Sequence, residues 1–315
     1  MLRAMLDSHS ALAVPPESYF VALAVALADR YETANGIDRE ALLQAIVADP
    51  SFGEWRIPTG EVRELWRESE PVDVAAAITD LYARYARERG KPRYGDKTPA
   101  NVLYVDLLAG AFPKARFLHI VRDGRDVVPS LMEMHFGPDR FGAAALFWRD
   151  RVSRGRAGGR RVGADRYREI RYEDLVADPE PVLRDICSFF ELAYEPSMLE
   201  YHQRADEVLD GLRFTHHVQG IRRPPSTDVR DWRANLPDHE VQLFEALAGD
   251  LLDDFGYERS GMAVSSRARV EAAAWRAGTT VERRTRTLRT RVTRHLPPLP
   301  FGSAKRVDDR AGVRA

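Results

Sequence analysis

The sequence predicts an α/β protein in which a parallel sheet is flanked by helices. Three observations predict it. The runs RYGDK (93–97), RFLHIV (116–121) and YREIRYE (167–173) read as strands, each separated from the next by a helical stretch, as crossover connections require. Long stretches of helical periodicity precede the first strong strand. With 315 residues, 44% of them hydrophobic, the chain is long and apolar enough to bury a full core.

Taken in order, the opening MLRAMLDSHS carries Leu2, Met5 and Leu6 at helical spacing, with no capping residue before them. Helical periodicity then covers about residues 17–33, 38–48 and 72–89. RFLHIV is the first convincing strand, expected to be buried, and YREIRYE follows a further helical stretch. Helices over 179–190 and 238–255 close the globular part, with Gly256 as a helix stop. No internal repeat is visible.

Composition narrows the function classes. A single cysteine, Cys187, excludes an intrachain disulfide and a Cys-rich metal site. No apolar run reaches the roughly 18 residues of a membrane span, and the opening lacks the regions of a signal peptide. Cytoplasm is the expected compartment, unless residues upstream carry a targeting segment. Charge divides the chain: residues 260–315 hold thirteen Lys and Arg against four Asp and Glu, or +9, which leaves −10 for residues 1–259. The expected organisation is a globular domain over 1–259 and a basic tail over 260–315. In the tail, VERRTRTLRTRVTRHLPPLP has the composition of a basic helix and AKRVDDRAGVRA that of a disordered end. A solvated or loosely docked tail is expected, with no specific nucleic-acid partner; contact with a membrane surface is the alternative. Oligomeric state is not legible.

Two strand ends are suited to anions. In FLHIVRDGRDVVPS a strand runs out at Val121, which puts Arg122 where ligands bind open parallel sheets, with Ser130 further along the following helix. Arg122 offers the planar donor fork that phosphate favours; pairing with Asp123 or Asp126 is the ordinary alternative. In YGDKTPANVLY, Lys97 sits between a short strand and a helix whose first turn is set by Thr98 and Pro99. Ammonium and helix start would both face an anion there, while the alternative is a surface lysine beside Asp96.

These stretches together resemble the sulfotransferase family. GDKTPANVLYVDLLAGAFPKARFLHIVRDGRDVVPSL is similar to its central segment, and LRAMLDSH with the glutamate of PPES is similar to the tyrosylprotein branch and its bacterial relatives. RYEDLVADPEPVLRDICSFFELAYEP, DWRANL and DFGY follow as later landmarks, so the resemblance spans about residues 2–257. It implies a P-loop-like sheet and transfer of a sulfuryl group from 3′-phosphoadenosine 5′-phosphosulfate (PAPS) to a hydroxyl or amine, with no metal. It also implies roles: Glu17 as base, Lys97 on the leaving or bridging oxygen, and Arg122 and Ser130 on the 3′-phosphate. Tyr172 matches a donor-contacting tyrosine, though packing is an equal reading. In GIRRPPSTDVRDW, similar to a late loop over the nucleotide, Arg222, Arg223, Ser226 or Thr227 would reach a phosphate. His9, His119, His216 and His217 rank below Glu17 as bases and form no ligand set. The acceptor class stays open among small molecules, carbohydrates and peptides. The helical region 20–89 and the stretch HFGPDRFGAAALFWRDRVSRGR are expected to wall its cleft.

In that family a first strand and a phosphate-cradling loop of the kind Arg-Ser-Gly-Thr-Thr precede the helix that matches LRAMLDSH. The expectation is therefore a chain lacking both, impaired in activity, with an in-frame upstream extension of about 10 to 30 residues. Two other readings stay open: a non-catalytic nucleotide-binding relative, and a kinase-like phosphotransferase, which needs a Gly-rich loop not found here.

Overall fold

The structure is a computed structural model that describes residues 1–134, 137–206, 220–226 and 231–278. In chain order its elements are α1 (Leu2–Asp7), β1 (Leu12–Ala13), α2 (Tyr19–Ala26), the hairpin β2 (Glu32–Thr33) and β3 (Gly36–Ile37), α3 (Arg39–Val47), α4 (Thr59–Ser69) and α5 (Val74–Arg87). Next come β4 (Arg93–Tyr94), a 3-10 turn (Pro99–Leu103), α6 (Val105–Ala111), β5 (Phe117–Val121), α7 (Gly124–Glu133), α8 (Phe141–Val162), β6 (Tyr167–Arg171), α9 (Tyr172–Ala177) and α10 (Pro179–Phe189). Helices Trp232–Asn235, Asp238–Asp254 and 266–278 complete the described chain.

By contact the chain forms two units. The first comprises Met1–Val121 and Arg154–Val229, the second Arg122–Ser153 and Arg230–Ala315.

In the first unit, α2 to α5 close on one core that holds Phe20, Leu42, Trp55, Trp66, Ile78, Leu81 and Tyr82. Two of these helices, α3 and α5, start at side-chain caps. Asp38 accepts from Ala41 N at 2.9 Å and Asp73 from Ala76 N at 2.7 Å, satisfying backbone donors that the first turn leaves unbonded. The predicted helix 17–33 is shorter than expected: α2 ends at Ala26, and after a 3-10 turn (Ala28–Arg30) the chain enters the β2–β3 hairpin through the two-residue loop Ala34-Asn35, with Gly36 at φ +124°. A second core joins Ala4 and Met5 of α1 to Leu175, Leu183, Ile186, Met198 and Ile221.

The predicted strands pair in parallel, but among the described residues they form separate pairs, and the β2–β3 hairpin is antiparallel. β1 pairs with β4, Leu12 opposite Arg93, and β5 pairs with β6 from Phe117–Tyr167 through Val121–Arg171. The expected burial of RFLHIV is corrected: only Val121 is fully buried, and Ile120 is 36% exposed. The physical reason is that β6 is the one ladder partner of β5 among the described residues. Close packing against this pair comes from small residues of α8. A Cβ on Gly159 would stand 2.2 Å from the Tyr167 ring, and one on Gly155 2.9 Å from His119 Cε1.

In the second unit, α7 and the first part of α8 pack with the helix Asp238–Asp254. Gly124 lets the α7 start meet Phe244 and Trp148, whose rings lie 5.4 Å apart. Gly256, at φ +67°, ends the long helix, and Tyr257 N returns to Leu252 O at 2.8 Å. Beyond residue 259, the helix over 266–278 packs on this long helix with Ala268 and Ala272 buried. Arg276 donates to Ala246 O at 2.6 Å, and His239 meets Glu271 at 2.9 Å. The predicted basic helix, VERRTRTLRTRVTRHLPPLP, lies outside the described residues.

Candidate active site

Glu17 and Lys97 stand on irregular segments, one after β1 and one after β4, and the β1–β4 pairing brings those segments side by side. The first is held from α1: Arg3 Nε donates to Pro15 O at 3.0 Å, and Asp7 accepts from Val14 N at 2.8 Å. Lys91 donates to Leu12 O at 3.1 Å, and burial lowers its pKa. At the end of this braced run, Glu17 Oε1 forms an ion pair with Lys97 Nζ, and its Oε2 accepts from Tyr19 OH at 2.7 Å. Burial first, and the Glu17 charge second, push the Tyr19 phenol well above its ordinary pKa, so it remains a donor.

The pair itself is open to water, with Glu17 32% and Lys97 47% exposed. Ion pairs this exposed contribute about 0–1 kcal/mol, too little to order two loops. Order comes from below. Asp96 accepts from Ser18 Oγ and Tyr82 OH on one oxygen and from Asn101 Nδ2 at 2.8 Å on the other. Ser18 N donates to Thr98 Oγ1 at 2.7 Å, and Tyr82 OH also reaches Ser18 Oγ at 2.9 Å. Burial raises the Asp96 carboxyl pKa, opposed by the hydrogen bonds from Ser18, Tyr82 and Thr98. Although the residue as a whole is exposed, Oδ2 lies against the buried Ser18 and Tyr82. Lys97 is thus not a lysine paired with its neighbour Asp96, whose oxygens are taken by hydroxyl and amide donors. The helix predicted at Thr98-Pro99 is a 3-10 turn, and its cap hydroxyl serves Ser18.

In the second unit, Asp123 precedes α7. It caps α7 by accepting from Arg125 N at 2.9 Å, and it holds the Arg125 guanidinium at 2.7 Å. Arg125, 1% exposed, also meets Glu245 at 3.0 Å and stacks on Trp232 at 3.7 Å. Arg122 follows β5, 23% exposed, with Nη2 3.9 Å from Asp126. Asp126 meanwhile accepts from Trp232 N at 2.8 Å. Ser130 lies one turn beyond Asp126 on α7 and is partly buried.

Tyr172 opens α9, close enough to Tyr201 that, after burial, it contributes to raising the Tyr201 pKa to about 12. Tyr201 OH donates to Arg223 O at 2.8 Å, and Ile221 is buried, which anchors the segment that carries Arg222, Arg223 and the exposed Ser226. Arg222 pairs with Asp206. Thr227, His216 and His217 lie outside the described residues. His9 is structural: Nε2 donates to Ala193 O at 2.7 Å, and Nδ1 accepts from Ala11 N at 3.0 Å. His119 Nδ1 meets Tyr167 OH at 2.7 Å. Among the described residues no group of three His, Cys, Asp or Glu is placed to hold a metal, and no helix is long and apolar enough to cross a membrane.

Residues 1–196, which carry Glu17, Lys97, Arg122, Ser130 and Tyr172, match the sulfotransferase family profile. The chain belongs to the sulfotransferase family. Protein-tyrosine sulfotransferase A of Caenorhabditis elegans is 23% identical over 173 residues, covering 53% of this chain and 45% of the relative. The omega-hydroxy-beta-dihydromenaquinone-9 sulfotransferase Stf3 of Mycobacterium bovis is 26% identical over 180 residues, covering 52% and 41%. This sulfotransferase chain spans about half, or less, of the length of such relatives. The sulfotransferase domain of the Synechococcus PCC 7002 olefin synthase shares the fold, with a TM-score of 0.59 at 22% identity, covering 82% of this chain and 90% of that one.

Sequence reasoning missed Tyr19, Tyr82 and Asp96 as partners of the Glu17–Lys97 pair. Only Asp96 carried a signal, as a neighbour of Lys97. Tyr82 reads as one more apolar position of a helix, and its hydroxyl partners are set by tertiary packing.

Proposed function

We propose that this chain transfers a sulfuryl group from PAPS to a hydroxyl or amine of a small-molecule, carbohydrate or peptide acceptor. The observation that carries the reading is the pairing of Glu17 with Lys97, eighty positions apart in sequence, on one braced surface. The Lys97 ammonium fits an anionic co-substrate, and, taken by themselves in the second unit, the Arg122 guanidinium and the Ser130 hydroxyl fit a phosphate. Bound, PAPS supplies a sulfuryl group on a phosphate leaving group. Glu17 takes the proton of the attacking hydroxyl as the new S–O bond forms. Lys97 offsets the negative charge left on the phosphate oxygen as the old S–O bond breaks. Arg122 and Ser130 hold the 3′-phosphate, and Tyr172 and the segment carrying Ser226 border the nucleotide. No residue in this scheme needs a metal.

The test mixes the chain with ³⁵S-labelled PAPS and a panel of 4-nitrophenol, a tyrosine peptide, an N-acetylglucosamine oligosaccharide and hydroquinone. Labelled product with at least one acceptor is expected. Thermal shift should also be larger with 3′-phosphoadenosine 5′-phosphate than with AMP or ATP. Nucleotide binding without transfer would support a non-catalytic relative, and a preference for ATP a phosphotransferase.

A further inference from the structure

We infer that Asp96, together with Tyr82 and Ser18, is a positioning unit that sets the separation and orientation of Glu17 and Lys97. The inference rests on the proposed roles of that pair. Neither Glu17 nor Lys97 belongs to a helix or strand, so no ladder of backbone bonds fixes either one. Each is bonded in sequence to a member of the network: Ser18 follows Glu17, and Asp96 precedes Lys97. The Ser18 Oγ–Asp96 bond and the Ser18 N–Thr98 Oγ1 bond therefore tie one backbone to the other directly beside the pair.

Tyr82 gives this tie a rigid base. It is 5% exposed on α5, edge-on to Trp55 at 4.8 Å and stacked on Tyr94 at 5.4 Å. Its hydroxyl donates to Asp96 while Asn101 takes the other oxygen, so the carboxylate has donors on both oxygens and one orientation. Side chains that react must be held by others whose own rotamers are locked, and this network is the locked layer under the pair.

The test uses the full chain and reads the pair without needing turnover. Lysines are acetylated with sulfosuccinimidyl acetate at pH 8, and the rate at Lys97 is measured by peptide mass spectrometry against exposed Lys114 in the same sample. Tyr82→Phe and Asp96→Asn should each raise the Lys97 rate about two- to fivefold, the range open to a partly exposed ion pair, with Lys114 unchanged. Glu17→Gln should raise it similarly, and the double variant Tyr82→Phe/Glu17→Gln should add nothing further, because both act through one contact. In sulfate transfer to the best acceptor of the panel, Tyr82→Phe should lower kcat about 10- to 100-fold with KM for PAPS nearly constant.

If Asp96→Asn does not fold, Tyr82→Phe, which keeps the ring, carries the test. A Lys97 rate that rises in Glu17→Gln but not in Tyr82→Phe overturns the inference and leaves the functional reading standing. A rate unchanged in Glu17→Gln removes the pair, and the inference with it. Absence of transfer by the parent chain overturns the functional reading alone, since the labelling result still decides whether the network positions the pair.

Discussion

Glu17, Arg122 and Arg125 carry charges in three settings, and each predicts a different experimental signature. Glu17 presents a carboxylate at a surface, so Glu17→Gln preserves shape and one acceptor oxygen but removes the proton acceptor. Turnover should fall about 10²- to 10⁴-fold, the usual worth of a general base, while calorimetry should show 3′-phosphoadenosine 5′-phosphate binding retained. Near-normal turnover would make Glu17 structural. Arg122 is partly exposed, and Arg122→Ala should weaken that nucleotide by about 1.5–3 kcal/mol, the worth of a charge-assisted hydrogen bond. AMP, which lacks the 3′-phosphate, should bind almost unchanged, and equal losses for both would sink the assignment. Arg125, three positions on, is 1% exposed between Asp123 and Glu245. Arg125→Leu leaves both acids without their buried partner and should cost about 3–5 kcal/mol in denaturant melts. A stability loss below 1 kcal/mol would show that the acids find other partners.

The helices owe their legibility to local chemistry, and α5 shows how. Asp73 caps it and apolar residues recur along one face, so its start was predictable from neighbouring residues alone. Asp73→Ala should cost about 1 kcal/mol, measured as a shift of the urea midpoint with unchanged slope. No shift would mean that packing of Tyr82 and Leu81, not the cap, sets the start. α3, capped by Asp38, was legible for the same reason, and α10 and the helix Asp238–Asp254, which have no side-chain cap bond, were legible from their apolar periodicity. α4 was not: it buries only Val62 and Trp66 and has no side-chain cap, so its apolar stripe is too thin to stand out. β1 was missed because two residues carry no period; its identity comes from pairing with β4, far along the chain. The site divides along the same line. Glu17 and Lys97, proposed as the reacting pair, stood out as residue types beside strand ends or by resemblance. Tyr82 and Tyr19 did not, because a hydroxyl's partner across the fold leaves no trace in spacing, and Asp96 showed only as the neighbour of Lys97.

Among the described residues, exposed acidic side chains held by arginines contribute to the response to pH. The Glu40 carboxyl is lowered to about 2 by hydrogen bonds from Arg63 and then Gln44, and Asp106, Glu191, Asp250 and Asp253 are lowered by Arg161, Arg116, Arg149 and Arg259. Their pKa values are higher in the unfolded chain, which therefore binds more protons as the pH falls below about 4.5, and the stabilisation they give drains away toward about pH 2. Melting temperature should fall steadily from pH 6 to pH 3, more gently in high salt. A flat profile would show that these pairs contribute nothing. The packing of α1 against Leu175, Leu183, Met198 and Ile221 also has a consequence for how the protein is made. Synthesis runs toward the C-terminus, so α1 leaves the ribosome before its partners and cannot bury Ala4 and Met5 until the segment reaching Ile221 has followed. Until those later residues have been made, the nascent chain carries an apolar helix without its core, open to chaperones and to misassembly. Closing that long loop is the slow, non-local contact on which completion of the first unit waits.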